Sequence, residues 1–138
     1  MFNKIHHIAI ICSNYEVSKD FYLNKLGFTA LAEVYREERQ SYKLDLAING
    51  TYQIELFSFP DPAKRPSRPE AAGLRHLAFE VNSVEGTVAI LKERGIETEA
   101  IRVDEFTGKR FTFFTDPDGL PLEIYESRIQ DQRHSILV

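Results

Sequence analysis

Hydrophobic positions along the chain fall into short runs that recur in the same order twice. The apolar segments "KIHHIAII" and "LRHLAFEV" occupy residues 4–11 and 74–81, and each reads as a β-strand. Helix-start chemistry follows both: Ser13 with Glu16, and Asn82 with Glu85, are spaced like a capping box. Helical spacing continues at Val17 and Phe21 in the first half and at Val84, Val88 and Leu91 in the second. Gly27 and Gly95 stand where a left-handed residue would close the last turn. The pattern then changes to period two with β-forming residues, predicting strands at 28–35, 42–48 and 52–59, then at 97–103, 109–115 and 120–126. Asn49-Gly50 predicts a hairpin in the first half, and "DPDG" at 116–119 joins the last two strands of the second.

His7 and His76 are 69 positions apart, and Gly27 and Gly95 are 68 apart, so the halves read as an internal repeat. The expected fold is α+β: two tandem β-α-β-β-β modules forming a curved mixed sheet, with helices outside and a concave face inside. Module one spans about 4–59 and module two about 74–126, a single domain over residues 1–126. The connecting segment 60–73 holds four of the six prolines and reads as a linker. The tail 127–138 has no clear period and is given no role.

Composition narrows the class of protein. With 138 residues, 43% of them hydrophobic, the chain suffices for one cored domain and not for two large ones. A net charge of −4 without a basic field argues against nucleic acid or an anionic membrane as partner. The single cysteine, Cys12, excludes an intrachain disulfide and fits a reducing compartment. "MFNKIHH" lacks the apolar run of a signal peptide, and no stretch reaches the roughly 20 apolar residues of a membrane helix. A soluble, cytoplasmic protein is expected.

Strand alternation then sorts side chains by face. Ile8 and Ile10 point one way and His7 and Ala9 the other; Leu77 and Phe79 match the isoleucines, and His76 and Ala78 match the second set. Glu55 lies opposite Ile54 and Leu56 in "YQIELFSF", and Glu123 lies opposite Leu122 and Ile124 in "PLEIYE". A single histidine in an apolar strand is more often a hydrogen-bonded core residue than a ligand, and a single glutamate more often meets solvent. Here the combination repeats: His7 to Glu55 is 48 positions and His76 to Glu123 is 47. A carboxylate in so apolar a strand needs a partner. Two imidazoles and two carboxylates on one face suit one divalent ion, Ni, Co, Zn, Fe or Mn.

"HHIAI…FYLNKLGF", "IELFSFP", "LRHLAFEV" and "DPDGLPLEIYE" resemble the vicinal oxygen chelate (VOC) superfamily, which includes glyoxalase I, bleomycin-resistance proteins and dioxygenases. Among small bacterial glyoxalase-I-like proteins, the YaeR-type group is similar in "RPSRPE…GLRHLAF" and "KRFTFFTDPDGLPLE". The resemblance covers roughly residues 4–126. It implies His7, Glu55, His76 and Glu123 as metal ligands, and a homodimer whose metal cup is shared between two chains or formed within one. It also implies a lactoylglutathione lyase type of reaction. A hemithioacetal of a 2-oxoaldehyde and glutathione or another thiol would chelate the metal, and a carboxylate would move a proton from C1 to C2 through a metal-bound enediolate. Glu123 is the catalytic base by that resemblance alone.

Other readings of the same family remain open. Extradiol dioxygenases and fosfomycin-type thiol transferases typically use two histidines and one glutamate, so the fourth donor, Glu55, favours an isomerase. Epimerases also abstract a proton beside a chelated carbonyl, but often carry glutamine at the Glu55 position. Binding proteins of the bleomycin-resistance type tend to lose the ligands. Weaker candidates are Lys109 and Arg110 for a substrate carboxylate, and Tyr35, Arg39, Phe57, Phe59 and Phe106 as cup lining. Arg65 and Arg68 could close over a ligand from the linker. His6 is expected to be structural, pointing to the helix-packed side or a strand edge, and His134 to be solvated. "DPDG" is a turn, because its glycine and following residues do not fit a calcium loop.

Overall fold

The last strand of each module returns to lie beside the first, so residues from the module's beginning and end become neighbours. In the computed structural model, which describes residues 1–128, the chain divides into two units at Arg65/Pro66. The first contains β1 (Ile8–Cys12), α1 (Tyr15–Asp20), β2 (Thr29–Arg36), β3 (Ser41–Ile48) and β4 (Thr51–Ser58). Its sheet order is β1-β4-β3-β2, with β1 parallel to β4 and the other pairs antiparallel. The second contains β5 (Leu77–Val81), α2 (Val84–Glu93), β6 (Arg102–Val103), β7 (Arg110–Thr115) and β8 (Pro121–Glu126). Its order, β5-β8-β7-β6, repeats the first, with β5 parallel to β8. Two tandem modules of mixed four-stranded sheet plus helix give the α+β class that the repeat predicts.

Alternation explains the cores. Leu44 pairs with Leu56 and Leu46 with Ile54, and all four are essentially inaccessible. They form one sheet face, with α1 packed against β4. In the second unit α2 packs on β7 and β8, where Val84 and Leu91 are buried, as are Phe114, Leu122 and Ile124. Glu126, at the end of β8, is also buried and accepts the backbone N–H of Val84, tying the start of α2 to the sheet.

Several local expectations need correction. The helix caps are Asn14 and Ser83, one residue beyond Ser13 and Asn82. Their side chains accept the amides of Val17 and Gly86, so Glu16 and Glu85 sit in the first turn without completing a capping box. The buried positions of α1 are Tyr15 and Ser18, and Val17 is 51% exposed. After Asp20 the helix widens into a π-helical turn, Phe21–Lys25, that buries Phe21 and Tyr22. Gly27 and Gly95 follow their helices at φ 79° and 82°, as expected of closing residues. Strand β6 is two residues long rather than seven; before it the chain meets β7 irregularly, with the Thr112 hydroxyl donating to the carbonyl oxygens of Glu99 and Ala100 and the Glu99 amide donating to the Phe113 carbonyl. Asn49 and Gly50, at φ 50° and 80°, make the expected hairpin turn.

Replacing Asn14 or Ser83 with alanine removes the acceptor for an otherwise orphaned amide. Each change is expected to lower the unfolding free energy by ~1 kcal/mol, while Ser13→Ala changes it far less. Urea denaturation of the three variants measures the difference.

Among the described residues, no helix is long and apolar enough to cross a membrane. The tail from residue 129 onward, with His134, lies outside the described residues.

Candidate metal centre

Register places the four candidate side chains in two equivalent pairs. Ala9 of β1 lies opposite Glu55 of β4, and Ala78 of β5 lies opposite Glu123 of β8. Both strands begin one residue later than the histidines, so His7 and His76 immediately precede the ladders, two residues before those alanines and on the same face. The small alanine leaves room for the imidazole to lean along its strand toward the carboxylate. His7 Nε2 stands 3.3 Å from Glu55 Oε1, and His76 Nε2 stands 3.3 Å from Glu123 Oε1. The carboxylates are 13% exposed in both pairs, while the imidazoles are 36% and 31% exposed. Each pair is thus sheltered from bulk water and open along one side. Among the described residues, no three histidine, cysteine, aspartate or glutamate side chains gather closely enough to hold an ion. Each unit presents a two-donor half.

The surroundings of the two carboxylates differ. Glu55 Oε2 accepts a short hydrogen bond from the Tyr52 hydroxyl and lies 3.4 Å from Lys43 Nζ. Lys43 also binds Asp45, the direct cross-strand neighbour of Glu55, at 2.7 Å. Burial pushes the Glu55 carboxyl upward, but the Tyr52 bond, Lys43 and His7 outweigh it and hold the group below the usual glutamate value. Burial, the bond to Glu55 and the nearby carboxylates push the Tyr52 hydroxyl up, so it stays a donor. The ring of Tyr52 also stacks on His7, with centroids 5.7 Å apart and planes 24° apart.

Around Glu123 the equivalent positions are apolar. Phe113 stands opposite it where Asp45 faces Glu55, and Phe111 occupies the place of Lys43. Leu120 stands three residues before Glu123, as Tyr52 does before Glu55. His76 pairs with Glu123 and meets Phe113 edge-on at 5.1 Å, while the Arg102 guanidinium lies over the rings of Phe111 and Phe113.

Tyr52, Lys43 and Asp45 are absent from the sequence-derived candidates. Strict alternation puts Tyr52 on the face opposite Glu55. A register irregularity in β4 sets Leu46 against Ile54 but Ala47 against Tyr52, which turns Tyr52 to the Glu55 side. Lys43 and Asp45 sit on the right face by alternation, but only β3–β4 register, a long-range property, brings them to Glu55.

Other candidates find different surroundings. His6 is exposed and not helix-packed: its Nδ1 is 2.9 Å from His7 Nδ1, and its ring meets Tyr52 edge-on. That contact occupies His7 Nδ1 and leaves Nε2 toward Glu55. Arg110 is paired with Glu85, and Lys109 lies over the Tyr125 ring. Phe57 and Phe59 stack on each other beneath the Arg36 guanidinium. Tyr35 is half exposed against Tyr42, and Arg39 ends a 3-10 turn. Phe106 is 94% exposed at the tip of a loop tied to Tyr125 through Asp104 and Thr107. Arg65 closes the first unit, and Arg68 falls in the second. "DPDG" is a turn, with Asp116 Oδ1 accepting the amides of Asp118 and Leu120.

Residues 4–124 match the family model of the Glyoxalase/Bleomycin resistance protein/Dioxygenase superfamily. The uncharacterized protein YwkD of Bacillus subtilis is 68% identical over 91% of this chain and 98% of its own length. The uncharacterized protein YaeR of Escherichia coli is 63% identical over 89% of this chain and 95% of its own. Among solved structures, a glyoxalase family protein from Enterococcus faecalis superimposes with a TM-score of 0.84 at 54% identity, covering 91% of this chain and 98% of the other.

Proposed function

The chain belongs to the Glyoxalase/Bleomycin resistance protein/Dioxygenase superfamily, and within it we propose a divalent-metal-dependent lyase of the glyoxalase I type, with His7, Glu55, His76 and Glu123 as the metal ligands. The observation that carries this reading is the duplicated pair, two His Nε2 to Glu Oε1 separations of 3.3 Å at repeat-matched positions. The donor chemistry fits. A separation of 3.3 Å is long for a hydrogen bond, so Nε2 and Oε1 of each pair would be available to a metal ion. Two neutral imidazoles with two carboxylates would balance a dication, the set expected for Ni, Co, Zn, Fe or Mn.

A divalent ion held there supplies Lewis acidity, which acidifies a C–H bond beside a coordinated oxygen. The protein's own groups would do the rest. The substrate is a hemithioacetal, and the product a 2-hydroxy thioester of the same composition. Glu123 would take the proton from C1 and return it to C2, while the C1 hydroxyl becomes the carbonyl and the C2 carbonyl becomes the hydroxyl. Glu55, held ionised by Tyr52 and Lys43, would remain a donor throughout. The phenyl rings of Phe111 and Phe113 border Glu123 and would limit water around the moving proton. A small-molecule substrate, a thiol cosubstrate and a homodimer complete the proposal.

The decisive assay supplies methylglyoxal and glutathione to protein reconstituted separately with Ni, Co, Zn and Mn. Thioester formation with at least one ion is the expected result, and none with any ion overturns the glyoxalase assignment. Metal bound tightly without turnover would direct attention to epimerase, dioxygenase or thiol-transfer substrates. A protein that binds no ion would favour a binding role.

A further inference from the structure

The two modules repeat a His/Glu pair but not its support. On the Glu55 side, one side chain touches both donors. The Tyr52 hydroxyl binds Glu55 Oε2, while its ring stacks on His7. Lys43 approaches the same Oε2 at 3.4 Å and is itself held at 2.7 Å by Asp45. Oε2 is therefore fully engaged, and Oε1 is the oxygen turned to His7 Nε2. In module two the positions corresponding to Tyr52, Lys43 and Asp45 hold Leu120, Phe111 and Phe113.

We infer that Tyr52 and Lys43 are positioning residues that lock Glu55 and His7 into a preformed half-shell, a support that the corresponding positions of module two do not repeat. This rests on the metal-site reading above and adds positioning residues to it. The physical basis is the cost of orienting a ligand. A carboxylate that rotates freely must lose that freedom on binding, whereas Glu55 has already lost it in the folded chain. A second consequence is denticity: with Oε2 committed to two donors, Glu55 would offer Oε1 alone.

The test measures Co(II) affinity by visible absorption titration, together with the melting temperature of metal-free protein. The proteins are the wild type, Tyr52→Phe, Lys43→Met and Lys43→Arg. Tyr52→Phe preserves the ring against His7 and deletes only the hydroxyl. Tyr52→Phe and Lys43→Met are each expected to weaken Co(II) binding about 10–100-fold with the metal-free melting temperature little changed. Lys43→Arg, which keeps the cation, should recover most of the loss. A variant that also melts early is judged by the other, since the two alter different strands. Wild-type protein that binds no Co(II) overturns the metal-site reading and the inference with it. Wild-type binding with unchanged affinity in Tyr52→Phe and Lys43→Met overturns the inference alone.

Discussion

Glu123→Gln is expected to lower kcat for hemithioacetal isomerisation by about 10²–10⁴-fold, the range by which a positioned acid–base group accelerates proton transfer. Metal content should fall far less. The amide oxygen of glutamine keeps the shape and a lone pair of the carboxylate but cannot accept a proton at neutral pH. The choice between the two glutamates rests on their surroundings. Glu55 accepts from Tyr52 and faces Lys43, interactions that favour its ionised form and oppose its taking up a proton. Glu123 lies across from Phe113, with Phe111 two residues along β7, and pairs with His76. Glu55→Gln should consequently show the converse profile, with weaker metal binding and a smaller loss of kcat once the ion is saturating. Full activity in Glu123→Gln, with the ion bound, removes that residue as the base.

The contrast between the two glutamates also shows what the sequence carries and what it withholds. Repeat spacing and alternation bring His7 to Glu55 and His76 to Glu123, because both depend on regular ladders that run from Ile8↔Ile54 and Leu77↔Leu122 onward. Alternation misses Tyr52 because the β3–β4 ladder slips by one residue just before it. The caps at Asn14 and Ser83 were ambiguous for another reason: "SN" and "NS" put two good capping residues side by side, and which one bonds three residues ahead depends on where the strand lets go. The contraction of β6 was beyond reach for the same kind of cause. It goes with an irregular pairing in which the Thr112 hydroxyl meets carbonyls 12 and 13 residues earlier, a tertiary contact with no local signature. His6 shows the limit of parity as a guide: two residues ahead of β1, it turns to His7 and Tyr52.

His7→Ala and His76→Ala should each abolish stable metal loading, measured as metal per chain by elemental analysis after gel filtration. Loss of a direct donor should exceed the ~10–100-fold cost typical of an outer-shell partner, so no ion would survive the column. The two variants should nevertheless differ in what they leave behind. In His7→Ala, Glu55 keeps Tyr52 and Lys43, so its charge remains compensated and the metal-free protein should melt near the wild-type temperature. In His76→Ala, Glu123 loses its polar neighbour and is left among phenylalanines at 13% exposure. A half-buried carboxylate without a partner destabilises the folded state, so this variant should melt measurably earlier at neutral pH. Equal metal content in wild type and both variants would remove the histidines as ligands. Equal melting of the two variants would instead show that Glu123 finds its compensation elsewhere, and that the asymmetry between the modules lies in geometry alone.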